Sequence, residues 1–205
     1  RGIPLQRTGC YRAGISTDLM KQTLFGISLA ASLLFSSPVL ATHYNVSDAE
    51  VHELWHSVVL TLGEERHVRA LQQHSYSDTI LSVNYTTGVC DLPWLEIRVE
   101  LEDHQPEDRV ANRVSGDLRV DHETIHNGVA EFITQRGDRG FYVNFYLNEL
   151  DLLLDEMRNG ETLLIRLDRG DEDYWFLSFA LTGAAAALDR AERLCEVEEE
   201  TRHNR

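Results

Sequence analysis

Trp94-Leu95-Glu96-Ile97-Arg98-Val99-Glu100-Leu101 alternates apolar and charged residues from Leu95 onward. Successive side chains of an extended chain point to opposite faces, so this stretch reads as a strand with one face in a core and one in water. Upstream, Ile80-Leu81-Ser82-Val83-Asn84-Tyr85 is rich in β-formers and leads through Thr87-Gly88 toward Cys90. Downstream, the polar stretch Glu102 to Asn112 reads as a loop. Leu118-Arg119-Val120-Asp121 and Val129-Ala130-Glu131-Phe132-Ile133 then flank Asn127-Gly128, a dipeptide suited to a two-residue hairpin turn. Gly137-Asp138-Arg139-Gly140 turns the chain into Phe141-Tyr142-Val143-Asn144-Phe145.

Two helices are expected. The first spans about residues 149–158, with Leu150, Leu153, Leu154 and Met157 on one side and Asn159-Gly160 as its stop. Strands Thr162 to Leu167 and Tyr174 to Phe179 follow, joined by the acidic turn Asp168-Arg169-Gly170-Asp171. The second helix spans about residues 183–195, where Ala184, Leu188, Ala191 and Cys195 form a single stripe. Residues 196–205 are charged and are expected to be a flexible tail. Many short strands with frequent turns give a mainly β, antiparallel, sandwich-like domain over residues 42–195.

Residues 20–41 have the pattern of an export signal. Met20-Lys21 is followed by the apolar run Leu24 to Phe35, then Ser36-Ser37-Pro38 and the small-residue end Val39-Leu40-Ala41. The run is shorter than the roughly 20 residues that span a bilayer, so no stable anchor is expected after cleavage near Ala41-Thr42. Residues 1–19 lack apolar periodicity and read as an upstream extension outside the fold. The expected compartment is periplasmic or secreted.

The chain carries a formal charge of -15. Removing residues 1–41 takes away Arg1, Arg7, Arg12 and Lys21 against a single acid, Asp18, and leaves the remainder more acidic still. Such a surface repels phosphate backbones and anionic lipid heads, which argues against nucleic acid as a partner. Cys90 and Cys195 remain after cleavage. In an exported protein two cysteines most simply form one disulfide, the alternative being two buried thiols.

His-Glu-x-x-His occurs twice, as His52-Glu53-Leu54-Trp55-His56 and His122-Glu123-Thr124-Ile125-His126. On a helix the two histidines share a face and bind zinc, with the glutamate as general base, here Glu53. The second copy runs into Asn127-Gly128, which no such helix could cross. The first admits two readings. Ser47-Asp48-Ala49-Glu50 fits a helix-capping box, whereas Val58-Val59-Leu60-Thr61-Leu62 is dense in β-branched residues and favours a strand. Val59 and Leu62 stand where the extended motif needs glycine and a third histidine. A further reading places His52, His56, His122 and His126 together on adjacent strands as a structural metal site. The acidic stretch from Asp168 to Asp173 lacks the ligand spacing of a calcium loop.

The segments Leu118-Arg119-Val120-Asp121, Met157-Arg158-Asn159-Gly160 and Phe179-Ala180-Leu181-Thr182-Gly183, with the helix ending at Cys195, resemble small exported proteins of the invasion-associated-locus-B type. They are also similar to periplasmic accessory proteins of type VI secretion. The likeness covers about residues 78–195 and implies a β-sandwich with helices and an envelope or partner-binding role. It carries over no active-site residue. The expected function is therefore a non-catalytic binding or accessory domain for a protein or envelope partner, needing no cofactor. Trp94, Tyr142, Tyr146 and Trp175 are the candidate contact aromatics. The alternatives are a small zinc hydrolase built on His52, His56 and Glu53, or a periplasmic inhibitor or immunity-like protein.

Overall fold

The computed structural model describes residues 44–72 and 79–203, with side chains through residue 197. These residues form β1 (Asn45–His52), β2 (Trp55–Leu62), β3 (Glu65–Gln72), β4 (Thr79–Thr86) and β5 (Trp94–Glu100). The chain continues with β6 (Arg109–Val120), β7 (His126–Thr134), β8 (Gly140–Leu147), α1 (Leu150–Asn159), β9 (Thr162–Asp168), β10 (Tyr174–Ala180) and α2 (Ala184–His203). All described residues fall within one compact unit, Leu40–Arg205. The expected leader and upstream extension lie outside the described residues.

The strands make one antiparallel sheet in the order β1-β2-β3-β4-β5-β8-β7-β6-β9-β10. The sheet coils rather than lying flat. Four strand spacings separate β8 from β10, roughly 19 Å in a flat sheet, yet Phe141 of β8 and Trp175 of β10 stand 6.3 Å apart, centroid to centroid. The carbonyl of Ala180 in β10 also accepts hydrogen bonds from Trp55 Nε1 at 3.0 Å and Gln72 Nε2 at 2.7 Å. The two halves therefore enclose one core, which gives the sandwich-like form expected from the sequence. Leu81, Val83, Leu95, Ile97, Val143, Leu118, Ile165 and Phe179 point into it.

Helix α2 lies on β2 and β3 along the predicted stripe, with Ala184, Leu188, Ala191 and Cys195 fully buried together with Ala187. Alanines let the helix axis approach the sheet closely. Cys90 and Cys195 form a disulfide that ties the loop after β4 to this helix across 105 residues of sequence. Helix α1 buries Leu153, Leu154 and Met157, as its periodicity predicts.

Three local expectations are corrected, and one unmarked strand is added. The turn between β6 and β7 spans residues 121–125, with Asp121 at φ 45°, and Asn127-Gly128 lies inside β7. Gly128 is needed there for close approach. A Cβ would come within 2.4 Å of the Tyr146 carbonyl oxygen on the neighbouring strand. The expected loop ends earlier than Asn112, because β6 starts at Arg109 and extends its ribbon with β7 beyond the core. Glu65–Gln72, unmarked by the sequence reading, is a strand. The expected tail continues α2 to His203, since glutamate-rich sequence propagates a helix already anchored at Cys195.

Candidate partner-binding face

The first His-Glu-x-x-His forms a β-hairpin tip, not a helix. His52 pairs with Trp55 and Val51 with His56, so Glu53-Leu54 is the two-residue turn, with Glu53 at φ 56°. Cross-strand partners share a face, so His52 lies on the core side with Trp55, and His56, next in sequence to Trp55, lies on the other. The turn thus separates two histidines that a helix or a continuous strand would have aligned. The tip is docked. Leu54 N–H donates to the Thr182 carbonyl at 3.3 Å, and the residue after Thr182 is Gly183, at φ +92°, where a Cβ would fall 1.8 Å from the His52 carbonyl oxygen.

His52 serves this docking. Its Nε2 lies 2.9 Å from Ser57 Oγ, and its Nδ1 lies 4.0 Å from Glu50. The order acid, histidine, serine resembles a nucleophilic triad, but Ser57 has no exposed surface. Arg190 of α2 donates to Ser57 Oγ at 2.8 Å and to the Asp48 carbonyl at 2.9 Å, and its Nε pairs with Glu50 at 2.6 Å. The constellation clamps helix α2 to the β1–β2 hairpin and leaves no hydroxyl for a substrate.

In the second copy, His122 is exposed in the β6–β7 turn, while His126 is buried at the start of β7 and donates to Glu156 of α1 at 2.9 Å. His52 is engaged by Ser57 and His126 by Glu156 of α1, while His56 lies on the opposite face of the sheet from His52, so the four histidines do not share a site. Among the described residues no group of three or more His, Cys, Asp or Glu side chains is placed to hold a metal ion.

The side of the sheet away from the core carries a row of polar side chains. Glu96 is buried beside Arg69, 3.6 Å away, and burial raises its pKa above the ordinary value. Glu131 accepts from Arg113 at 2.6 Å and from the Tyr146 hydroxyl at 2.9 Å, and these bonds hold its pKa below the ordinary value. Tyr142 donates to Asp138, and its hydroxyl is pushed up to about 12 by burial and by that carboxylate. Arg98 bonds the same Asp138 at 2.9 Å and Glu100 at 2.6 Å. The Arg113–Glu131–Tyr146 set joins β6, β7 and β8, and the Arg69–Glu96 pair reaches from β3 across β4 to β5.

Toward β10 the same face becomes apolar. Ile125, Leu164 and Phe176 line a groove of about 350 Å³, rimmed by Asp117, Arg119 and Arg166. Phe176 is 68% exposed, and Ile125, Leu164 and Tyr174 are also exposed. Sequence alternation explains why. Residues 175, 177 and 179 supply the core, so 174, 176 and 178 must face outward, and two of these three are aromatic. Of the four aromatics expected at a contact surface, only Tyr146 is largely exposed, at 57%. Trp175 packs on Phe141, Trp94 sits edge-on to His67, and Tyr142 is held by Asp138 and Arg98. Phe176 and Tyr174 were the signal to find, as large apolar residues on the wet face of a strand.

Fold and surface together define a disulfide-bridged antiparallel β domain that exposes an apolar groove at one edge of its sheet. Among the described residues no helix is long and apolar enough to cross a membrane. Comparison with protein-family models, with curated proteins and with solved structures found no match.

Proposed function

We propose that this protein is an exported, non-catalytic domain that binds a protein or cell-envelope partner through the outer face of β9 and β10. One observation carries the reading: among the described residues, the groove around Phe176 places several exposed apolar side chains side by side on the outer face of the sheet. Contiguous exposed apolar surface mostly marks an interaction site, since leaving it wet costs about 25 cal/mol for each Å². Export to the periplasm or beyond is supported by the leader pattern of residues 20–41 and by the Cys90–Cys195 bridge, which persists in oxidising compartments. The accessory role implied by the likeness to periplasmic secretion proteins belongs to the same reading.

Size-exclusion of the native protein from the exported fraction tests it. The chain is expected to elute in an assembly larger than the free chain, and the doubly substituted Leu164→Ser, Phe176→Ser protein is expected to elute alone. Elution of both as free chain would refute the reading. So would metal-dependent hydrolysis that is lost in Glu53→Gln.

A further inference from the structure

We infer that the partner is held by strand addition: an extended segment of another protein pairs antiparallel with the free edge of β10. The inference rests on the binding role just proposed and specifies its chemistry.

The edge can be read residue by residue. Leu181 N–H donates to the Glu161 carbonyl at 2.8 Å, and Arg169 N–H donates to the Asp173 carbonyl at 2.8 Å. Odd-numbered residues of this segment therefore bond toward β9. In an antiparallel strand the N–H and C=O of one residue point the same way and alternate along the chain. Tyr174, Phe176 and Ser178 consequently direct both backbone groups away from β9. The Ala180 carbonyl, next in this series, is the one met by Trp55 and Gln72, so among the described residues the edge is closed at that end and open before it.

The two sheet edges differ. β1 is blunted by a bulge between Ser47 and Glu50 and by acidic side chains, the usual protection of an edge strand. β10 pairs with β9 in seven consecutive unbroken steps and has no bulge. The same residues that expose backbone groups also carry the exposed side chains of the face, Phe176 and Tyr174, beside the groove. An added strand would satisfy the backbone groups and lay alternate side chains toward Leu164 and Phe176, which is how β-augmentation combines affinity with selectivity.

Charge selects the occupant. The hairpin leading into β10 carries Asp168, Asp171, Glu172 and Asp173 at the Tyr174 end against one cation, Arg169, which pairs with Asp173 at 2.7 Å and leaves the tip acidic. A second copy of a chain at -15 is a poor match for this edge. A segment with alternating apolar residues and a basic C-terminal end fits, since antiparallel addition brings that end to the acidic tip.

The probe is a fluorescein-labelled, capped octapeptide of alternating threonine and valine ending in two arginines, titrated onto the full chain by fluorescence polarisation. Binding is expected, with the amides of Phe176 and Ser178 becoming protected from hydrogen exchange. Ser178→Pro removes a donor that faces away from β9 and leaves the β9 ladder intact. It is expected to weaken binding at least tenfold. A peptide N-methylated at alternate nitrogens, which needs no variant to fold, is expected not to bind.

If Phe176→Ser abolishes binding while Ser178→Pro and the N-methylated peptide bind normally, strand addition is wrong and the groove reading survives. Absence of peptide binding also overturns strand addition, while the elution test above still judges the groove. A concentration-dependent dimer that Ser178→Pro dissolves would make the occupant a second copy and overturn the inference.

Discussion

Gly183→Ala should be among the most damaging single-methyl changes in this domain, because Gly183 is where the β1–β2 hairpin tip meets the start of α2. Two costs add. Its φ of +92° lies in the region that L side chains avoid, which costs about 1–2 kcal/mol. The new Cβ would fall 1.8 Å from the His52 carbonyl oxygen, and relieving such overpacking costs about 1–3 kcal/mol more. The sum, about 2–5 kcal/mol, corresponds to a fall in Tm of order 10 °C for a domain of this size. Gly63→Ala provides the control. Gly63 also has positive φ, +61°, but nothing lies within 4 Å of its would-be Cβ. Thermal melts followed by near-ultraviolet circular dichroism, where the buried Trp55 reports, give both values. Equal losses in the two variants would refute the docked-tip account.

Other outcomes follow from the same geometry. Glu53→Gly, which relieves a positive φ at the turn, is expected to raise stability by roughly 1 kcal/mol in denaturant titration, whereas a zinc hydrolase would lose its general base. Removing both Cys90 and Cys195 opens a constraint across 105 residues and should lower unfolding free energy by up to about 4.7 kcal/mol, with α2 the first element to lose exchange protection. Glu96 and Glu131 respond to pH with opposite signs. The raised Glu96 makes its ionised form costly in the folded state, so Glu96→Gln should melt higher than wild type at neutral pH, and this advantage should shrink as pH falls through the raised folded pKa and be gone below the ordinary value of 4.5. The lowered Glu131 contributes stability above its ordinary value of 4.5 that fades as pH falls through its folded pKa. Glu131→Gln should therefore melt lower than wild type at pH 7, with the gap closing in acid.

The elements that were legible from the chain are those whose burial is one-sided and local. Leu95 to Leu101 alternates because one face is core, and α2 shows its stripe because Ala184, Leu188, Ala191 and Cys195 all meet the sheet. Where both faces of a strand are wet the pattern vanishes, as in β1 and the first half of β6. In β1 the serine-to-glutamate spacing from Ser47 to Glu50 imitated a helix cap, but Glu50 is engaged by Arg190, a partner from the far end of the chain. Asn127-Gly128 imitated a turn because the glycine's true constraint, the Tyr146 backbone on β8, is not local. The step from β5 to β8 across the sheet is likewise invisible in neighbouring residues. At the candidate face, Phe176 was readable as a strand residue, but its exposure depends on Trp175 and Leu177 being the ones turned inward.

The role of the β10 face is tested most directly by a photo-activatable phenylalanine analogue placed singly at Phe176 or at Val46, an exposed residue on the opposite edge, in cells that export the protein. The account predicts one covalent adduct of defined mass from position 176 and none from position 46. An adduct from Val46 with none from Phe176, or none from either, would contradict it.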